Sequence, residues 1–214
     1  MRVKIMLRYG LTAVVMVLAG TPAFTQTTTW EIDPAHSAAH FSVRHMMIAT
    51  VRGEFHKLAG TVMFDEKEPN KSTVDATIEA TTIDTGHEKR DSDLRGAEFF
   101  DVAKFPTIMF KSKSVTRQGE GRFKVTGDLT MRGVTKPVVL DVEGFTAQVK
   151  DQRGNIKTGA SATTKINRSE FGLTWNRVIE TGGVAVSDEV AIVIDLELVK
   201  KGPPPAATSG GSSK

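Results

Sequence analysis

The chain has 214 residues, no cysteine, 28 lysines and arginines against 25 aspartates and glutamates, and a formal net charge of +3. Without thiols it holds no disulfide, no thiolate nucleophile and no cysteine-ligated zinc or iron–sulfur centre. Three of the basic residues, Arg2, Lys4 and Arg8, fall in the first segment, and setting them aside brings the basic total level with the 25 acids, so the charge balance excludes an electrostatic case for nucleic acid.

Residues 1–23 have the form of a secretory signal: basic residues, an apolar run from Leu11 to Ala19, and small residues at Thr21 and Ala23 ahead of a cleavage point. The run is too short to span a bilayer, and no cysteine follows it to accept a lipid. The reading is an exported, periplasmic protein with a short linker at 24–29 and a single body at 30–200. Residues 201–214, rich in proline, glycine and serine, have almost no apolar surface to bury and are expected to be disordered.

The body opens with four histidines, His36, His40, His45 and His56. The HSAAH spacing matches that of helical zinc proteases, but on a strand rising ~3.3 Å per residue the two imidazoles stand roughly 13 Å apart. Ser37 also follows the first histidine where that motif needs an acid. These histidines read as hydrogen-bonded or rim groups, with no metal site.

Alternation dominates from there on. Val74, Ala76, Ile78 and Ala80 share one face of a strand and Asp75, Thr77 and Glu79 the other. The pattern returns in Ile108 and Phe110, in Phe123 and Val125, in Val138, Leu140 and Val142, and in Val190 through Leu198. Turn-rich breaks fall at Glu68–Lys71, Gln118–Gly121, Met131–Pro137 and Asp151–Asn155. Short repeated strands predict an antiparallel barrel or sandwich, and periodicity alone leaves both open.

One helix is predicted near His87–Gly96, opened by Thr85 with Glu88 three residues on as a capping box. Asp91 and Arg95, four apart, are expected to pair, and Leu94, Phe99 and Phe100 to fasten the helix to the barrel. A second short turn is expected at Ser169–Gly172. The run from His87 to Asp93 holds carboxylates and an imidazole that could serve as acid and base. A solvated face is the plainer reading, and a gate using Arg90 toward a phosphate or quinone oxygen is a third. Arg132 and Arg168 are weaker candidates for that task. The chain has no GxSxG elbow, no GK[ST] loop and no GxGxxG.

Four ordered motifs carry a family resemblance: WEIDPAHSAAHFSVRHMM from Trp30, RDSDLRGAEFFDVAKFPTIMF from Arg90 to Phe110, GDLTMRGVTKPVVLDV from Gly127 to Val142, and NRSEFGLTWN from Asn167. The chain resembles the YceI-like, polyisoprenoid-binding family. It departs at Asp93, where that family commonly has histidine. The resemblance implies a mainly β fold, a single lipocalin-like antiparallel β-barrel of about eight strands with one or two short helices. It also implies a long-chain isoprenoid lipid as ligand and makes a homodimer plausible. No cofactor, no enzymatic activity and no nucleic-acid partner are expected, and transient membrane contact is left open.

On that reading the tail would be lined by Phe41, Val43, Phe55, Phe64, Val74, Ile78, Phe100, Ile108, Phe110, Phe123, Leu140, Phe171, Trp175, Ile192 and Ile194. The head group would meet Arg90, Asp91 and Arg168 at the mouth. An exported enzyme acting on a small amphiphile, and a scaffold with a protein-binding outer face, are the alternatives.

Overall fold

A computed structural model describes residues 27–180 and 182–202. The expected signal, half of the linker and nearly all of the tail lie outside the described residues. Among those described, eleven antiparallel strands form one sheet. They are β1 (Thr28–Ile32), β2 (Ala38–His45), β3 (Ala49–Phe55), β4 (Leu58–Phe64), β5 (Thr73–Glu79), β6 (Ile83–Asp84), β7 (Thr107–Gly119), β8 (Arg122–Met131), β9 (Val134–Lys150), β10 (Ile156–Asn167) and β11 (Glu189–Lys200).

The order β1-β4-β5-β7-β8-β9-β10-β11 returns to β1 through the β1–β11 pairing, so eight strands close into a barrel. Strands β2, β3 and β6 continue the same wall. β11 pairs β2 through Ala191–Asp195 and β1 through Leu198–Lys200, so β1 and β2 are one strand bent at residues 33–37. Closure joins the two ends of the eight-strand run, and it is the alternative that periodicity could not choose.

The expected alternation is the inward face of the wall. Val190, Ile192, Ile194, Leu196 and Leu198 of β11 all point to the interior. Their partners on β10 across the register are small: Ile192 faces Thr164, Ile194 faces Ala162 and Leu196 faces Ala160. Small residues opposite large ones leave the barrel centre unfilled. The buried apolar residues accordingly form three clusters around the wall instead of one central core.

Strand β9 carries a bulge. Thr158 pairs Gln148 while Ala160 pairs Gly144, so β9 spends extra residues against β10. Phe145 there adopts φ +60°, and Gly144 lies so close to β10 that an added Cβ would stand 2.6 Å from the Ala160 Cα. The bulge re-aims Phe145 into the interior, where strict alternation from Val142 would have turned it out.

Three local expectations are corrected. Helix α1 spans Glu88–Arg95, but His87 is its N-cap and accepts from Arg90 N; Thr85 does not cap it. Asp91 and Arg95 do not pair. Asp91 accepts from Thr85 instead, and Arg95 donates to the carbonyls of Thr81 and Ile83, because backbone partners within reach outcompete a solvated ion pair. The break at Met131–Pro137 shrinks to Arg132–Gly133, since β9 begins at Val134 and Pro137 pairs Asp128. The β9–β10 pairing ends at Asp141–Thr163, so Pro137 stands at an edge where its missing N–H costs no ladder bond. The short turn expected at Ser169–Gly172 is a 3-10 turn at Arg168–Phe171.

Candidate functional site: an apolar cavity with a polar rim

The inward faces enclose a cavity of about 840 Å³. It runs from Val190 to Leu198 along β11, eight residues at ~3.3 Å each, which a strand tilt of ~40° shortens to a depth of about 20 Å. Volume over depth gives a mean cross-section of about 40 Å², the width of one branched hydrocarbon chain. At ~30 Å³ for each water-sized atom, the space holds on the order of 28 non-hydrogen atoms, or five to six five-carbon units.

Every expected tail-lining residue but one stands in the cavity wall: Phe41, Val43, Phe55, Phe64, Val74, Ile78, Phe100, Ile108, Phe110, Phe123, Leu140, Trp175, Ile192 and Ile194. The exception is Phe171. At 1% exposure it sits inside the solid cluster with Ile83, Met131 and Leu173, because the 3-10 turn of Arg168–Phe171 tucks its ring behind the wall. Wall residues that alternation did not single out include Leu58, Val62, Phe145, Ala160 and Ala162.

One end of the cavity is closed by rings. Phe64 stacks on Phe145 at 4.5 Å between centroids and meets Phe123 edge-on at 5.5 Å. Trp30, 1% exposed, lies behind Phe145 at 5.8 Å, with the Lys200 ammonium over its ring. The other end opens to solvent, since the exposed residues Ser92, Asp93, Ala97, Glu98, His45 and Arg177 also line it. Phe99 and Trp175, 5.2 Å apart, stand just inside this rim.

The three expected mouth residues separate in role. Arg90 lines the cavity; its Nε donates to Thr85 Oγ1 at 2.7 Å and its Nη2 to the Thr85 carbonyl at 2.8 Å. Asp91 is buried away from the cavity and accepts from Thr85 N and Oγ1, so it positions the threonine that positions Arg90. Its expected place at the mouth is corrected: α1 turns it toward β6 instead. Arg168 lines the wall, but its N–H groups go to the carbonyls of Leu173, Trp175, Val186 and Ser187. Burial pulls its pKa below the usual value, and the Asp188 carboxylate opposes that shift. Arg132 likewise bridges the carbonyls of Gly172 and Ala97.

The charged run His87–Asp93 does not converge on one point. His87 caps α1, Lys89 pairs with Asp93 at 3.8 Å, and only Arg90, Ser92 and Asp93 of the run reach the cavity. His87, Glu88 and Asp91 border a separate depression beside His56 and Asp84.

The four early histidines do not converge on one point, although His40 and His56 both approach the Glu54 carboxylate. His36 lies in the bend between β1 and β2, beyond the strand it was assigned to, and faces Asp33 and Glu197; His40 faces Glu54 and Asp195. Asp33, His36 and Glu197 do bring ligand atoms within 4.8 Å of one another. Lys157 already fills that cluster, with Nζ 2.5 Å from Glu197 and 3.4 Å from Asp33. The ammonium supplies the positive charge that a cation would bring. The hydrogen bond from His36, with those from Ala35 and Lys157, holds the Asp33 carboxyl down at about 2 against an ordinary 3.8.

A closed eight-stranded barrel is just wide enough to be filled by its own side chains or to hold one slim ligand, and this one is hollow, apolar and open at a single end. It is therefore a cavity-bearing β-barrel. Residues 30–198 match the YceI-like domain, and the chain belongs to the YceI-like family. It is 37% identical over 166 residues to Protein YceI of Salmonella newport, covering 78% of this chain and 83% of that one. Among solved structures it is similar to BcnA of Burkholderia cenocepacia, with a TM-score of 0.66 and 24% identity over 78% of this chain and 98% of that one. It also shares its fold with a polyisoprenoid-binding domain from Saccharophagus degradans, with a TM-score of 0.56 and 14% identity over 80% and 98% of the two chains.

Proposed function

We propose that the protein is an exported carrier or sequestering protein for a long-chain polyisoprenoid, an isoprenoid quinone or a polyprenyl phosphate, held in the barrel by reversible burial without covalent chemistry. The observation that carries this reading is the continuous apolar cavity, one chain wide and open at one end. The fold shared with a polyisoprenoid-binding domain supports the choice of lipid. The signal-like segment at 1–23 supports a periplasmic location.

The energetics suit a carrier. Each buried carbon contributes roughly 0.8 kcal/mol relative to water, so four five-carbon units approach ~16 kcal/mol gross, near the ceiling of non-covalent affinity. The lipid comes from a membrane, where its tail is already out of water, so transfer exchanges one apolar setting for another and the net change stays small. Tail length is then read by cavity depth and head group by the rim. The enzymatic alternative needs an acid and a base converging on the cavity, and the dispersal of the His87–Asp93 groups gives it no support.

The test is extraction. Protein produced with its membranes and purified without harsh detergent releases an isoprenoid into organic solvent, identified by mass spectrometry and chemically unaltered after incubation. Repeated recovery of empty protein overturns the proposal.

A further inference from the structure

Resting on the carrier reading, we infer that the rim of the cavity is a docking surface for an anionic lipid bilayer, formed by the β2–β3 turn and residues 175–180 and 182–187. Two features of that surface point to a partner. The first is exposure: Ile48 is 82% exposed and Val178 79%, with Met46, Met47 and Val184 beside them also open to solvent. The second is backbone. Met46 and Met47 both have positive φ, 51° and 62°, and Ile48 N donates back to His45 O at 3.1 Å. Two left-handed residues inside such a turn call for Asn-Gly, Asp-Gly or Gly-Gly. Here two long apolar side chains occupy them, so the turn accepts backbone strain to present methionines at its tip.

The two segments form one surface. Met46 N donates to Ala185 O at 2.8 Å, Ser187 N donates to Arg44 O at 2.9 Å, and Met47 and Ile179 close over Gly183. That surface adjoins the opening, because His45, Trp175, Arg177 and Val186 belong both to these segments and to the cavity wall. A tail leaving a bilayer would pass into the barrel without crossing water.

Charge selects the occupant. Across residues 44–52 and 175–187 there are three arginines, Arg44, Arg52 and Arg177, and one acid, Glu180. Exposed apolar side chains set among three arginines match the boundary between anionic head groups and acyl chains, the acids of the opening, Asp93 and Glu98, coming from α1 and the segment after it.

The test is flotation of the purified protein with phosphatidylglycerol-containing vesicles and with phosphatidylcholine vesicles. Wild type is expected to float with the former and less with the latter, and the Ile48→Asp/Val178→Asp variant to float at least ~10-fold less. Met46→Asn/Met47→Gly is the discriminating variant. It should raise Tm, because the turn gains its preferred residues, and still lower flotation. Equal flotation of wild type and both variants overturns the inference. Wild type that fails to float but forms a dimer lost in Ile48→Asp overturns it too, and assigns the patch to a second copy. Flotation does not require cargo, so protein that floats yet yields no isoprenoid keeps the docking surface and removes the carrier reading. Extractable isoprenoid without flotation does the reverse.

Discussion

Arg90 is tied to Thr85 twice, through Nε to the hydroxyl at 2.7 Å and through Nη2 to the carbonyl at 2.8 Å. Asp91, the next residue along α1, receives the Thr85 N–H at 2.9 Å. Two residues, Thr85 directly and Asp91 through it, thus fix one guanidinium in the cavity wall, and its Nη1 has no hydrogen bond within the described residues. A planar, permanently charged donor held in this way is preorganised for a phosphate or carbonyl oxygen. Arg90→Gln is expected to weaken binding of a polyprenyl phosphate about tenfold, near 1.4 kcal/mol, while leaving the prenyl alcohol of equal length unaffected. Thr85→Val should give part of the same loss. Equal effects on phosphate and alcohol would remove Arg90 from head-group recognition.

The tail prediction concerns Ile78 and Ile192, which line the cavity from strands β5 and β11. An indole at either position projects into a passage one chain wide. Ile78→Trp and Ile192→Trp should each cut the isoprenoid recovered per protein several-fold while keeping the β-sheet circular dichroism, since the cavity has room to take the ring without the overpacking cost of ~1–3 kcal/mol seen in filled cores. Full loading in both variants would place the lipid elsewhere.

Much of this wall was legible because strands β5, β7, β8, β9 and β11 alternate large apolar with polar residues. Strand β10 was not, and the reason is physical: of its inward residues only Ile166, at its end, is large, and Ala160, Ala162 and Thr164 are too small to mark a face. The same smallness makes the barrel hollow, so the strand that periodicity misses is one that opens the cavity. Phe145 was hidden by the β9 bulge, which changes the alternation by a local backbone choice. At the mouth, sequence spacing suggested that Asp91 would pair with Arg95. It could not show that the carboxylate turns toward the Thr85 backbone, six residues away.

Arg168 illustrates a charge used for architecture. At 7% exposure it donates to four backbone carbonyls between Leu173 and Ser187 and so fastens the loop that carries the rim. Lysine keeps the charge but lacks the fork that spans those acceptors. Arg168→Lys is expected to cost about 2–4 kcal/mol through carbonyls left unpaired, seen as a lower denaturation midpoint and faster proteolysis within 173–187. Unchanged stability would mean that water replaces the guanidinium at no cost.

Acid should loosen the bend between β1 and β2. The Asp33 carboxyl titrates at about 2 in the fold against an ordinary 3.8. Folding therefore favours the charged form, and the gain is complete above about pH 4 and fades as pH falls toward 2. Asp33→Asn retains the turn accepted from Ala35 N while deleting the charge. Its Tm should lie below that of wild type at pH 6 and converge with it near pH 2. A gap independent of pH would assign the loss to packing.

The closed end of the cavity makes a prediction about cargo length. Phe145 is the ring that Phe64 stacks on and that Trp30 meets edge-on, and it is held inward by a backbone at φ +60°. Phe145→Gly removes the floor and relieves that backbone. Loss of this half-buried ring costs at most the about 3–5 kcal/mol of a fully buried one, and release of the left-handed strain returns about 1–3 kcal/mol, so the variant should fold with a modestly lower midpoint. The space vacated is roughly that of one five-carbon unit, at ~30 Å³ per water-sized atom. Mass spectrometry of lipid extracted from the variant should shift toward species longer by a whole isoprene unit. An unchanged length distribution would show that the tail stops short of Phe145, and that the aromatic end serves the fold alone.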